Sequence, residues 1–199
     1  MAAVGGGSGA VTDLPYARLA AASYDPKPPG RIIDWRDVRA VVTGNVAAIR
    51  GTVPTSWGNW IRDARIWPEA CSTHPAIGEC PAGALDAAVA LSVLIPAEVE
   101  AFTGHSLGAQ IAVLIAAIRG ARTLVTWDAP RAGGDALVSA LAACDCRQYR
   151  FAGSFVTDDP LGYRHVRPLV EIGEWTADPV EAHSISRAVA WLSALKGDS

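Results

Sequence analysis

The chain reads as an α/β fold built on a mostly parallel central sheet with helices on both faces. Three observations predict this. Short apolar, β-rich runs alternate with Ala- and Leu-rich stretches of helical length from residue 83 to the end. The run at 123–127 is short and mostly apolar, as a strand covered on both faces requires. A Gly-x-Ser-x-Gly turn stands where one such run passes into a helix.

Composition sets the outer bounds. The chain has 199 residues, half of them apolar and 19% charged, with a net charge of −3. That is enough apolar material for one sizeable core. The lack of a basic excess argues against a nucleic-acid partner. The most apolar stretch, 111–118, is shorter than the roughly 20 residues that a bilayer-spanning helix needs. Residues 1–12 are rich in Gly and read as a flexible leader, with 13–199 as one domain. The leader has no Lys or Arg and no long apolar run, so it lacks the pattern of an export signal and leaves the location open.

The elements follow in order. Asp13 is an N-cap candidate for a short amphipathic helix with Pro15 in its first turn, ended before Pro26-Lys27-Pro28-Pro29. Residues 38–42 and 46–50 form a hairpin about Thr43-Gly44-Asn45. Residues 51–81 read as loop, with Trp57, Trp60 and Trp67 among Gly, Pro and Ser. A helix is expected over 83–95, stopped by Pro96. Strands are expected at 99–103, 123–127, 149–156 and 166–172. Helices are expected at 109–119, 135–143 and 182–195. Cys71, Cys80, Cys144 and Cys146 lack the Cys-x2-Cys spacing of a zinc site, and their disulfide state is left open.

Thr103-Gly104-His105-Ser106-Leu107-Gly108 carries the chemistry. A serine hydroxyl is a poor nucleophile until it is presented to a base. A sharp strand-to-helix turn pushes it out at the sheet edge, and small residues two before and two after make that turn passable. The free N–H groups of the following helix point at developing negative charge. In the α/β-hydrolase order an acid follows the serine and a histidine comes last. His74 and His105 are badly placed for the base. His183, on a polar connection before the last helix, is favoured over His165, which stands beside Arg164 and Arg167. Asp128, Asp135, Asp158 and Asp159 are the acid candidates. Asp158 and Asp159 follow a strand, at the edge where strand ends deliver site residues, and Asp128 follows an earlier strand.

From about Tyr16 to Trp191 the chain resembles the class 3, fungal-lipase-like branch of the α/β-hydrolases. Ile49-Arg50-Gly51-Thr52 and Asn59-Trp60-Ile61-Arg62-Asp63 look like that family's Arg-Gly-Ser/Thr turn and the segment after it. Thr103 to Gly108 matches its nucleophile turn, and Ala129-Pro130-Arg131-Ala132-Gly133 its Pro-Arg-x-Gly turn. Thr157-Asp158-Asp159-Pro160-Leu161 resembles the stretch that holds its acid, and Glu181-Ala182-His183 its terminal histidine segment. The resemblance implies an α/β-hydrolase fold and roles for named positions. Ser106 would be the nucleophile, His183 the base and Asp159 the orienting acid. The N–H groups of Thr52 and Leu107 would form the oxyanion hole, with Trp57, Trp60 and Ile61 as a lid or acyl-binding wall. Arg131 is expected to hold a turn and Asp63 to serve structure. No metal or organic cofactor is needed for such chemistry. A lipid or small ester is the expected substrate, with transient contact to a lipid interface. An acyltransferase, an esterase for small soluble esters and a non-catalytic binding module on the same fold are the rival readings.

Overall fold

The computed structural model describes residues 12–51, 68–158 and 163–197. Its strands are β1 (Arg31–Trp35), β2 (Val38–Thr43), β3 (Val46–Ile49), β4 (Pro68–Ala70), β5 (Glu79–Pro81), β6 (Ala101–His105), β7 (Thr123–Trp127), β8 (Asp145–Phe151) and β9 (Leu169–Ile172). Its helices are α1 (Leu14–Ala22), α2 (Ala82–Leu94), α3 (Leu107–Arg119), α4 (Asp135–Ala140), α5 (Pro179–Ala182) and α6 (Ser186–Lys196). Among the described residues one sheet runs in the order β1-β2-β3-β6-β7-β8-β9. β1, β2 and β3 are antiparallel neighbours, and from β3 to β9 every pairing is parallel. This is the mostly parallel α/β-hydrolase sheet that the sequence predicts.

The core divides into two clusters, one on each face. Phe102 and Leu124 face α2 and α3, with Leu85, Leu91, Ile111 and Leu114 packed over them. Val125, Trp127, Tyr149 and Phe151 face the other way and meet Leu14, Ala17, Ala188 and Leu192 of α1 and α6. Leu124 and Val125 therefore point to opposite faces, as the two-residue period of a strand dictates. Arg119, near the end of α3, donates to the carbonyls of Ile95, Pro96, Ala97 and Val99 at 2.9–3.3 Å. That clamp fixes the segment that leads into β6.

Several boundaries differ from expectation. The region expected as loop holds the small β4–β5 hairpin. β1 was not anticipated; it is an edge strand, exposed at Arg31, Ile32 and Asp34, with little apolar periodicity. β8 starts four residues before the expected strand, because Asp145 and Arg147 hold its exposed beginning with charge rather than apolar burial. The terminal helix α6 starts at Ser186 rather than at 182, and the polar connection before it holds the short helix α5, with His183 between the two.

Asp13 does not cap α1 with its side chain. Its fully buried carboxylate instead accepts from Arg147 Nε and Tyr149 Oη, each at 2.8 Å. Tyr149 in turn stacks on Trp127 with ring centroids 4.6 Å apart. Asp13 thus pins α1 to the sheet face below the strand ends. Asp13→Ala leaves the buried Tyr149 phenol without that acceptor and removes one of the two carboxylates on Arg147, which keeps its pair with Asp145 and some contact with water. The expected loss is about 2–3 kcal/mol of stability. A thermal melt followed by circular dichroism should fall by roughly 5–10 °C.

Candidate active site

The site is assembled at the carboxyl ends of the parallel strands. Ser106 follows β6 directly and has φ 59°, a left-handed conformation that side chains avoid. Packing enforces it. A Cβ on Gly104 would lie 2.6 Å from the Gly108 carbonyl oxygen, and one on Gly108 would lie 2.2 Å from that of Ile49. Glycine at both positions is therefore a steric requirement, as the motif predicts. The Ser106 N–H donates to the Trp127 carbonyl at 3.0 Å, which ties the turn to the neighbouring strand end. Leu107 opens α3, within the first turn where amide N–H groups lack intrahelical partners.

Asp128 is the next residue after β7, the strand beside β6. It too is left-handed, with φ 51°, and it is fully buried. Its N–H donates to the Tyr149 carbonyl at 2.8 Å. Its carboxylate accepts from the Phe151 N–H at 3.2 Å and from the Ser154 hydroxyl, and it is hydrogen-bonded to His183 Nδ1. A buried carboxylate held by three partners is both compensated for lost hydration and fixed in orientation.

His183 is 3% exposed and stands immediately after α5. Asp178 caps that short helix by accepting from the N–H groups of Val180 and Glu181 at 2.8 and 3.2 Å. Pro179 supplies a first helical residue with no N–H to satisfy. Arg187 donates to the carbonyls of Ala182 and Ala152 at 2.8 and 3.0 Å, so the His183 turn is tied to the loop after β8. The imidazole of His183 lies 4.5 Å, centroid to centroid, from that of His105, the residue before Ser106.

His105 is buried between these groups. Its Nε2 donates to the His183 carbonyl at 2.8 Å, and its Nδ1 is 2.9 Å from the Tyr24 hydroxyl. Burial first, and the nearby His183 second, hold its pKa well below the ordinary histidine value. It is therefore neutral at physiological pH. Gln110, in the first turn of α3, donates to the Arg131 carbonyl at 2.6 Å and holds the Pro130-Arg131 turn against α3.

The sequence-predicted residues fall into three groups. Ser106, Leu107 and His183 are gathered at one rim of the sheet. His165 is elsewhere, with Nε2 3.0 Å from the Thr157 carbonyl, and His74 pairs with Thr73. Thr52, Trp57, Trp60, Ile61, Asp63 and Asp159 lie outside the described residues. Asp158 ends a short 3-10 turn, Val156–Asp158. The carboxylate on His183 Nδ1 is that of Asp128, the competitor from the earlier strand; the favoured Asp159 is outside the described residues. Ser154 was not anticipated. The signal available for Asp128 was its place at the tip of the strand adjoining the nucleophile strand.

All four cysteines are free thiols. Burial pushes the Cys80 thiol up to about 12, so it carries no thiolate at neutral pH. Among the described residues no cluster of His, Cys, Asp and Glu is arranged to hold a metal ion, and no helix is long and apolar enough to cross a membrane.

Comparison with solved structures identifies the architecture. Rhizomucor miehei lipase, in a propeptide complex, matches over 93% of this chain and 79% of its own with a TM-score of 0.62 at 21% identity. A mono- and diacylglycerol lipase from Aspergillus oryzae covers 84% of this chain and 81% of its own with a TM-score of 0.60 at 20% identity. The fold is that of the fungal lipases. Rhizopus microsporus lipase adds a third match, with a TM-score of 0.59 at 22% identity over 81% of this chain and 73% of its own. No protein-family model matches the sequence, and no curated protein matches it. In the fungal-lipase fold of this chain, Ser106, His183 and Asp128 all stand at the carboxyl ends of the parallel strands, the edge at which open α/β sheets bind their ligands.

Proposed function

We propose that the protein is a serine hydrolase of carboxylic esters that works through an acyl-enzyme on Ser106. His183 is the base, Asp128 orients it, and the N–H groups of Leu107 and Thr52 receive the oxyanion. The observation that carries this reading is the buried Asp128–His183 pair beside a serine held in a left-handed turn. Asp128 on Nδ1 sets the tautomer that leaves Nε2 to accept a proton. His183 Nε2 takes the Ser106 proton as Oγ attacks the ester carbonyl. The C–O bond to the alcohol then breaks, and the alcohol departs with that proton. Water, deprotonated by the same nitrogen, releases the acid and restores Ser106. Each preorganised oxyanion donor is worth about 3–4 kcal/mol in the barrier.

The fungal-lipase fold supports an acyl ester with an apolar chain as substrate. The loops that carry Ser154 and His183 also expose Phe155, Trp175 and Val180, apolar surface suited to such a substrate. Trp57, Trp60 and Ile61 are the residues proposed to add a lid or acyl-binding wall. A panel of p-nitrophenyl esters from two to eighteen carbons tests this. The expected result is a kcat/KM that rises with chain length by at least tenfold before it levels off. Activity confined to the acetate ester would contradict an apolar acyl site and favour a small-ester esterase.

A further inference from the structure

Three backbone segments must keep their spacing for Ser106 to work: the end of the β3 strand at Gly51, the turn at Ser106, and the turn at His183. The half-buried Tyr24 and the buried His105 touch all three. A carbonyl only accepts, so the 2.8 Å contact between His105 Nε2 and the His183 oxygen places the proton on Nε2. A neutral ring then has Nδ1 as an acceptor, and the Tyr24 hydroxyl, 2.9 Å away, must donate to it. The phenol oxygen also lies close against Gly51. Gly51 is in close contact with the same group: a Cβ there would lie 2.5 Å from the Tyr24 hydroxyl, 2.5 Å from the His105 carbonyl and 3.1 Å from Ser106 Cβ. Phe151 closes the other side of the His105 ring, with centroids 6.0 Å apart.

We infer that Tyr24 and His105 are positioning residues, a hydrogen-bonded strut that sets the distance between Gly51, the Ser106 turn and the turn that carries His183. The inference rests on the serine-hydrolase reading. Neither side chain exchanges a proton with substrate. His105 stays neutral while His183 gains its proton, so positive charge builds only on the ring that faces Asp128. The Tyr24 hydroxyl comes from the end of the α1 helix, far from the motif in sequence, so the pentapeptide alone does not disclose it. A misplacement of about 1 Å in such a site can lower turnover about 100-fold.

The test compares Tyr24→Phe, His105→Leu and His105→Gln with the wild-type protein on p-nitrophenyl butyrate, together with thermal melts. Tyr24→Phe removes one oxygen atom and is expected to lower kcat 10- to 100-fold with KM within about twofold. His105→Leu should lose at least as much. His105→Gln keeps a donor for the His183 carbonyl and should recover at least fivefold over His105→Leu. A residue that serves stability alone would lower the melting temperature and leave kcat unchanged. If His105→Leu does not fold, Tyr24→Phe decides alone. A kcat for Tyr24→Phe within twofold of wild type overturns the inference and leaves the hydrolase reading standing. A wild-type protein that neither cleaves the ester nor reacts with a fluorophosphonate overturns the hydrolase reading itself, and the strut with it.

Discussion

Ser106→Ala is expected to abolish ester hydrolysis, with kcat down by about 10⁴-fold or more and the fold intact. The side chain is small and 3% exposed, and among the described residues it makes no hydrogen bond that holds the turn together; the backbone N–H and carbonyl of residue 106 do that work. Alanine tolerates the left-handed conformation no worse than serine does, since both carry a Cβ. The residual rate should come from oxyanion stabilisation and binding alone. Steady-state hydrolysis of p-nitrophenyl butyrate beside a thermal melt separates the two effects. A variant that melts as wild type and retains more than a tenth of the activity would show that the bond-breaking nucleophile is elsewhere.

Asp128→Asn has the second-largest expected effect, a fall in kcat of about 10³- to 10⁴-fold. The carboxylate accepts from the Phe151 N–H, the Ser154 hydroxyl and His183 Nδ1, and it stabilises the imidazolium that forms as Ser106 attacks. An amide there carries no charge, and its NH2 group, turned toward Nδ1, would favour the wrong tautomer. Asp159→Asn is the matched control and should stay within about threefold of wild type, because His183 Nδ1 already has the Asp128 carboxylate as its partner. The opposite ranking, with Asp159→Asn inactive and Asp128→Asn nearly normal, would return the orienting role to Asp159. Ser154→Ala should fall between the two, because it removes one of three hydrogen bonds to the same carboxylate.

The two acids show where sequence reading stops. The Ser106 turn was legible because sterics write it into neighbouring residues: Gly104 and Gly108 have no room for a side chain, whatever the rest of the chain does. β7 was legible to the residue because its five positions are apolar or β-branched and end at a turn. His183 was legible through its place on a polar connection before the last helix, although that connection proved to hold the short helix α5. The partner of His183 is not local. It depends on which strand end faces the histidine turn across the sheet, 55 residues away in the chain. Asp128 and Asp159 both follow runs that read as strands, and no spacing rule distinguishes them, although β8 ends at Phe151. The same limit hid Tyr24, which meets His105 across 81 residues, and Asp13, whose capping pattern competed with a distant arginine and tyrosine that won.

Peptide mapping by mass spectrometry after reaction with a fluorophosphonate tests the acyl-enzyme most directly. The adduct should form at one equivalent per chain, on the peptide that contains Ser106, and should vanish in Ser106→Ala. A protein that hydrolyses esters while the adduct is absent, or sits on another residue, would contradict the mechanism.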